Sequence, residues 1–278
     1  MSISQEWISR RVTREDYEPS SAYSRAVSFH VAADAYDRFM GRYSQQLTPL
    51  LADLAGVRAG QRALDVGCGP GALTAELVAR LGADAVAAVD PSAPFAEAAR
   101  ERHPGIEVKL AAAEDLPFED GVFDVALAQL VVHFMADPVA GLREMGRVTR
   151  SGGIVAASVW DHAGDQTPLA AFWQAVRALD PGARGESGLA GAREGHLSEL
   201  FTAAGLSEVE ETALKMSLEH ETFEDWWEPF TLGVGPAGAY VAELDATARA
   251  ELRERCRQLL PDAPFTLTAQ AWAARGVA

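Results

Sequence analysis

The sequence predicts an α/β fold built on a parallel sheet. Three observations carry that expectation. Strand-length apolar runs alternate with helical stretches from Gly60 to Trp160, the pattern of strands joined by right-handed crossovers. One run, "FDVALAQLVV", is apolar without alternation, as a strand covered on both faces must be. The first run opens directly into a glycine-rich turn and a helix, "RALDVGCGPGAL".

Each element can be justified in order. Residues 1 to about 28 are polar and mixed in charge, with Pro19 and several serines, and predict a loosely packed arm. "FHVAADAYDRFMGRYSQQLTPLLADLAGV" predicts two helices broken around Gly41 and Pro49, with Leu47, Leu50, Leu51 and Leu54 on one face. "QRALDVG" is the first strand. "GALTAELVARLG" is a helix with the stripe Leu73, Leu77, Val78 and Leu81 and a stop at Gly82. "AVAAVD" is a strand ending in Asp90. "SAPFAEAARERHPG" is a helix with Ser92 as N-cap, ended near Pro104 and Gly105. "IEVKLAAAE" and "FDVALAQLVV" are the third and fourth strands. The helix "DPVAGLREMGRVTRSGG" leads to the fifth, "IVAASVW". After Trp160 the rhythm breaks into helices, a glycine-rich loop and one extended segment. "PFTLTAQAWAARG", with Phe265, Leu267, Ala269 and Ala271 in alternation, closes the chain as a strand.

Composition narrows the function classes. The 278 residues are 48% hydrophobic and 23% charged, a balance for one large domain or a core with a subdomain. The formal net charge of −16 repels phosphate backbones, so no nucleic-acid partner is expected. Cys68 and Cys256 make neither a disulfide framework nor a zinc pattern, and a reducing cytoplasm is the expected location. "MSISQEWISRRVTRED" lacks the apolar core of a signal peptide. No window approaches the roughly 18 apolar residues that span a bilayer, so no membrane association is expected. No histidine and carboxylate cluster has metal-ligand spacing, and no metal is expected.

The glycine turn carries the chemistry. Gly67, Gly69 and Gly71 stand at the carboxyl end of the first strand, where ligands bind in open α/β sheets. Their freedom at positive φ, and the absence of Cβ, let a ligand touch the backbone. Asp90 ends the next strand nineteen residues after Gly71, placed to accept hydrogen bonds from ribose hydroxyls. A tight turn and an ordinary surface aspartate account for either feature alone. Together they predict a nucleoside-bearing ligand. Gly67, Gly69 and Ala72 formally satisfy the dinucleotide pattern G-x-G-x-x-G/A, which leaves a nicotinamide-dependent oxidoreductase as an alternative, although no second glycine signature follows the fourth strand.

In order, "LDVGCGPG", "VAAVDPS", "AAAEDLPFEDGVFDVALAQLVVHFMADP", and "LREMGRVTRSGG" followed by "IVAASVW" resemble the class I S-adenosylmethionine-dependent methyltransferases. The resemblance covers about residues 29–160 and, weakly, the C-terminal strand. It implies a Rossmann-like doubly wound sheet of seven strands, the last antiparallel, with a mostly helical cap. The implied division is an arm and cap helices over 1–46, a cofactor-binding core over 47–161, a helical cap insertion with the sixth strand over 162–262, and the C-terminal strand over 263–278. The implied activity is methyl transfer from S-adenosylmethionine to oxygen, nitrogen or carbon of a small-molecule acceptor. A cofactor-binding protein without catalysis is the other alternative.

The same resemblance assigns roles. Gly67, Cys68 and Gly69 line the methionyl part of the cofactor and Asp65 fixes their loop. Asp90 holds the ribose, with Pro91 beside the adenine. Ala113, Glu114 and Asp115 approach the adenine edge; Ala112 stands where the family has an aspartate. Ala128 and Gln129 lie near the amino-acid portion. Tyr36 covers the cofactor, and Arg42 reaches its carboxylate or is an ordinary surface arginine. His133, at the rim after the fourth strand, is a base, a site-lining residue or a packed histidine; His30 and His162 are weaker candidates for the base. Trp160, Trp226 and Trp227, with Phe172, Trp173 and Phe230, form an aromatic lid over the acceptor or the packing of the cap itself.

Overall fold

The computed structural model describes residues 33–278. The polar arm expected over residues 1 to about 28, and His30, lie outside the described residues. The first described element is one continuous helical run: α1 (Ala33–Tyr36), a π-helical turn (Asp37–Gly41) and α2 (Arg42–Leu54). The break expected around Gly41 and Pro49 does not occur. Gly41 keeps right-handed helical backbone, with φ −58°. Pro49 lies inside α2, where its missing N–H orphans the Gln45 carbonyl. The Thr48 hydroxyl donates to that carbonyl at 3.1 Å, so the helix runs through.

The strands are β1 (Ala63–Val66), β2 (Val86–Asp90), β3 (Glu107–Leu110), β4 (Phe123–Gln129), β5 (Thr149–Trp160), β6 (Ser207–His220) and β7 (Phe265–Val277). They form one sheet in the order β3-β2-β1-β4-β5-β7-β6. The first five are parallel, and β7 runs antiparallel to both β5 and β6. Every residue of β1 and β2 is buried, the burial that continuous apolar runs encode. Chain order reverses between β1 and β4, which opens a crevice at their carboxyl ends.

The remaining helices are α3 (Ala72–Leu81), α4 (Ala93–Arg102), α5 (Pro138–Val148), α6 (Ala170–Leu179), α7 (His196–Ala203), α8 (Phe223–Trp227), α9 (Gly235–Glu243) and α10 (Ala246–Leu259). Leu51, Leu73 and Leu77 from α2 and α3 pack on Val125 and Leu127 of β4. Leu142, Met145 and Phe201 from α5 and α7 pack with Ala126 and Val155. The Asp137 carboxylate caps α5 by accepting the Ala140 N–H at 3.0 Å. Ser92 precedes α4 as expected, but its hydroxyl does not cap the helix; instead the Asp90 carboxylate accepts the Ser92 N–H at 2.8 Å.

A third cluster builds the cap. Phe172 stacks on Phe230 with ring centroids 4.6 Å apart. Trp173, Trp226, Trp227 and Cys256 are buried with them, and Phe39 and Tyr43 join from the N-terminal helical run. The Arg42 guanidinium grips both oxygens of Asp225, at 3.0 and 2.9 Å. His220 hydrogen-bonds Tyr43 on one ring nitrogen (2.9 Å) and Asp225 on the other (3.1 Å). The N-terminal helices and the cap therefore share one core and one polar lock. Among the described residues no helix is long and apolar enough to cross a membrane, and no group of three or more His, Cys, Asp or Glu side chains is arranged to hold a metal ion.

Candidate functional site

The three glycines of the loop after β1 are there for different reasons. All have positive φ: +71° at Gly67, +55° at Gly69 and +103° at Gly71. A Cβ at Gly67 would lie 2.5 Å from Val131 Cγ2, and one at Gly71 2.7 Å from His103 Nε2. Those two positions are closed by packing. Among the described residues, a Cβ at Gly69 would meet nothing within 4 Å. Gly69 is the point where the loop leaves room above the backbone. The N–H groups of Gly67 and Cys68 both donate to the Val89 carbonyl, at 2.8 and 3.0 Å, tying the loop to the end of β2.

Two buried aspartates flank the loop. Asp65 accepts the Thr74 hydroxyl at 2.6 Å, joining the end of β1 to the first turn of α3. Burial pushes its carboxyl up to about 7, the Thr74 bond opposing that and the nearby Asp90 adding to it. Asp90 accepts the Gly69 N–H on one oxygen, at 2.8 Å, and the Ser92 N–H on the other. Burial raises its carboxyl as well, against those two backbone bonds. Each carboxylate oxygen has a second lone pair, so Asp90 keeps acceptor capacity for a ligand.

Tyr36 closes this cleft from above. Its ring sits edge-on to Phe95 of α4 with centroids 5.3 Å apart. Its hydroxyl is pushed up to about 12, first by burial and further by the charges of Asp90, Asp37 and Asp65, against a hydrogen bond to Ser44. At the tip of β4, the Gln129 amide donates to the Ser44 carbonyl at 3.1 Å, and the buried Gln129 Oε1 has no partner among the described residues. The next residue, Leu130, has φ +60°, a conformation that costs a non-glycine residue about 1 kcal/mol or more and that collects at functional sites.

Beyond Tyr36 and Leu130 lies a small, partly open pocket. Its apolar walls include Phe39, Met40, Leu130, Trp160, Leu169 and Val234. Its polar lining is His133, His162 and Glu186. Among the described residues, the buried His133 Nδ1 and His162 Nε2 have no hydrogen-bond partners. Burial holds His133 well below the usual histidine range, with His162 adding to the effect, and burial pushes His162 down to about 3. Burial pushes Glu186 up to about 7, against a bond to Trp173; the Trp173 Nε1–H donates to Glu186 Oε2 at 2.7 Å. His162 Nε2 stands 4.0 Å from Glu186 Oε1. With His162 neutral at pH 7, that approach is not an ion pair.

The structure thus brings together Tyr36, Asp65, Gly67, Cys68, Gly69, Asp90 and Gln129 around the loop. Pro91 is exposed beside it. Ala128 is wholly buried in the sheet. In the segment after β3, Ala113 is buried and Asp115 exposed, and the Glu114 carboxylate accepts the Asp137 N–H at 3.1 Å. Ala112 is exposed. Three of the expected site residues are engaged in the cap. Arg42 is engaged with Asp225 of the cap instead of facing the glycine loop. Trp226 and Trp227 do not line that pocket; both pack the cap core, where Trp226 donates to the Pro168 carbonyl. Trp160 does line the cavity, its indole N–H directed at Met40 Sδ, 3.3 Å away. Glu186 was missed. Nothing around "GARGES" distinguishes it from a loop carboxylate until the fold sets it against Trp173 and His162.

Residues 64–157 match the family model described as "Methyltransferase domain". Among curated relatives, the malonyl-(acyl-carrier protein) O-methyltransferase of Salmonella typhimurium is 34% identical over 151 residues, covering 54% of this chain and 59% of that one. The chain spans between about a third and three fifths of the length of the curated relatives first matched, 34% and 59% in two cases. Among solved structures, the YcgJ protein of Bacillus subtilis superposes with a TM-score of 0.53 at 19% identity, over 85% of this chain and 98% of that one. The cyclase SpnF superposes with a TM-score of 0.51 at 21% identity, over 84% and 80%. Those two likenesses are of fold, which hosts more than one chemistry, so function has to be argued from the site.

Proposed function

The chain carries a methyltransferase domain of the class I S-adenosylmethionine-dependent family, and from that premise we propose that it methylates a small-molecule acceptor held in the cavity beyond Tyr36 and Leu130. The observation that carries this is continuity: Tyr36 lines the acceptor cavity while its hydroxyl lies within the field of Asp90 and Asp65 at the glycine loop. The dinucleotide reading of Gly67, Gly69 and Ala72 gives way, because the matched domain is a methyltransferase.

The residues present fit S-adenosylmethionine on two counts. Gly69 leaves open space where a Cβ would stand. Gln129 Oε1 is a buried acceptor with no donor among the described residues, which suits the ammonium of the cofactor's amino-acid portion. Gly67, Cys68 and Gly69 would line that portion, Asp90 would accept the ribose hydroxyls, and Ala113, Glu114 and Asp115, with Pro91, would border the adenine. When bound, the cofactor supplies an electrophilic methyl carbon on a positively charged sulfur. The chain's task is then to align an acceptor atom with that carbon and to exclude water. Tyr36 covers the cleft, Leu130 and His133 form the rim between cleft and cavity, and Trp160 and Phe39 exclude water from the far side. The buried carboxylates Asp65 and Asp90 favour a cationic ligand nearby.

A calorimetric titration with S-adenosylhomocysteine tests this reading. It predicts saturable 1:1 binding and no binding of NAD. Binding of NAD with silence toward S-adenosylhomocysteine would overturn it.

A further inference from the structure

The polar lining of the cavity is built from three distant segments. His133 comes from the turn after β4, His162 from the residues following β5, and Glu186 from the loop between α6 and α7. All three are almost fully buried, at 6%, 5% and 3% exposure. Leaving a buried polar atom unsatisfied is costly, yet among the described residues His133 Nδ1 and His162 Nε2 have no hydrogen-bond partner. Trp173 takes one oxygen of Glu186 and fixes the carboxyl, which turns Oε1 toward His162 at 4.0 Å. That gap is too long for a hydrogen bond between the two, but an oxygen about 2.8 Å from each atom fits between them. With Glu186 as the carboxylate and His162 Nε2 carrying its hydrogen, such an atom donates to one side and accepts from the other. A hydroxyl does both. A carboxylate or an ether oxygen only accepts. The surrounding walls are aromatic and aliphatic, so the rest of the ligand is apolar.

We propose that the acceptor is a neutral phenol-like compound whose hydroxyl sits between His162 Nε2 and Glu186 Oε1, and that Glu186 takes the hydroxyl proton as the oxygen is methylated. The inference rests on the methyltransferase reading above. In the step, the new oxygen–methyl bond forms as the sulfur–methyl bond breaks. The bonding pair stays on sulfur, which becomes a neutral thioether, and the hydroxyl proton passes to the Glu186 carboxylate and later to solvent. His162, as a neutral imidazole, orients the hydroxyl by hydrogen bonding. A proton acceptor that titrates near the working pH suits this role, and burial brings Glu186 to about 7. Trp173 holds the carboxyl in place from α6. His133, on the side of the cofactor cleft, is the third buried polar group facing the same space.

The test uses two probes of nearly equal shape, 4-ethylphenol and 4-ethyltoluene, titrated into the full chain and followed by ligand-observed NMR. The phenol is expected to bind about tenfold more tightly, the worth of one good hydrogen-bond arrangement. His162→Phe is expected to cut that preference to about twofold or less while S-adenosylhomocysteine still binds as in the wild type. Glu186→Gln keeps the shape of the site and is expected to retain phenol binding, but to lose about 100-fold or more in methyl transfer across a panel of substituted phenols with radiolabelled cofactor. Equal affinity for the two probes, or no saturable binding of either, overturns the proposal. So does a protein that binds S-adenosylhomocysteine and methylates no phenol of the panel, a result that leaves the cofactor reading standing. Failure to bind S-adenosylhomocysteine with the phenol preference intact overturns the cofactor reading instead.

Discussion

The glycine-loop cleft and the cavity beside it are built by opposite strategies. The cleft uses backbone. Its shape comes from three positive-φ glycines and from N–H groups anchored to Val89 and Asp90, all within the short span of β1, β2 and the turn between β1 and α3. The cavity uses side chains. Its lining is drawn from the N-terminal helical run, the β4 turn, the end of β5, the loop after α6 and the start of α9. A backbone site with two buried carboxylates suits one fixed, positively charged ligand. A side-chain site assembled from scattered segments can change its ligand without disturbing the donor. On the proposed reading, donor recognition would fall to the core sheet, and acceptor recognition to residues drawn from both the core sheet and the cap.

Substitutions should separate the two regions. Asp90→Ala is expected to have the largest effect, weakening S-adenosylhomocysteine about 100-fold, since each hydrogen bond to a charged group is worth about 1.5–3 kcal/mol; calorimetry reads this directly. Glu186→Gln is expected to leave the same affinity within about twofold, because it alters only the other region. The glycines come next. Gly67→Ala pushes a methyl against Val131 at positive φ and is expected to cost about 2–3 kcal/mol in urea unfolding. Gly69→Ala meets no neighbour and is expected to cost about 1 kcal/mol of stability while still impairing cofactor binding. Equal stability losses at the two positions would contradict the distinct roles given to them.

Arg42→Ala is expected to cost about 1–2 kcal/mol in the same assay, the worth of a partly exposed bidentate pair, with cofactor affinity unchanged. A drop in that affinity would mean that the cap lock and the cleft are one unit. The smallest effect is one of pH. In the folded chain the Glu186 carboxyl keeps its proton up to about 7, above its ordinary 4.5. Folding takes up a proton between those values, so this group's contribution to stability falls as pH rises through that window and levels off above it. The stability of Glu186→Gln relative to wild type should therefore be more favourable at about pH 8 than at about pH 5. A difference independent of pH would show that Glu186 is not held protonated.

The same division explains what the sequence revealed. Strands β1, β2, β4 and β5 were legible because burial on both faces writes largely apolar runs, β3, exposed at Glu107 and Leu110, by its place in the alternation of strands and helices, and the cleft because its glycines and Asp90 follow one another along the chain. The path through Pro49 was misread, since its remedy is a single hydroxyl on Thr48 that resembles any other helix-surface polar group. Trp226 and Trp227 offered apolar mass but no direction; the fold points them into the cap core. Arg42 carried a charge whose partner, Asp225, lies 183 residues away. Glu186 gains its character only from burial against Trp173 and His162, a three-segment meeting that no local pattern encodes.

The central claim is that the donor cleft opens into the acceptor cavity at Tyr36 and Leu130. A crystal structure with S-adenosylhomocysteine bound tests it most directly. The account predicts the ribose hydroxyls on Asp90 and the thioether sulfur beside Tyr36 and Leu130, facing the space lined by His133, His162 and Glu186. A sulfur directed away from that cavity, or a cofactor seated elsewhere on the sheet, would contradict it.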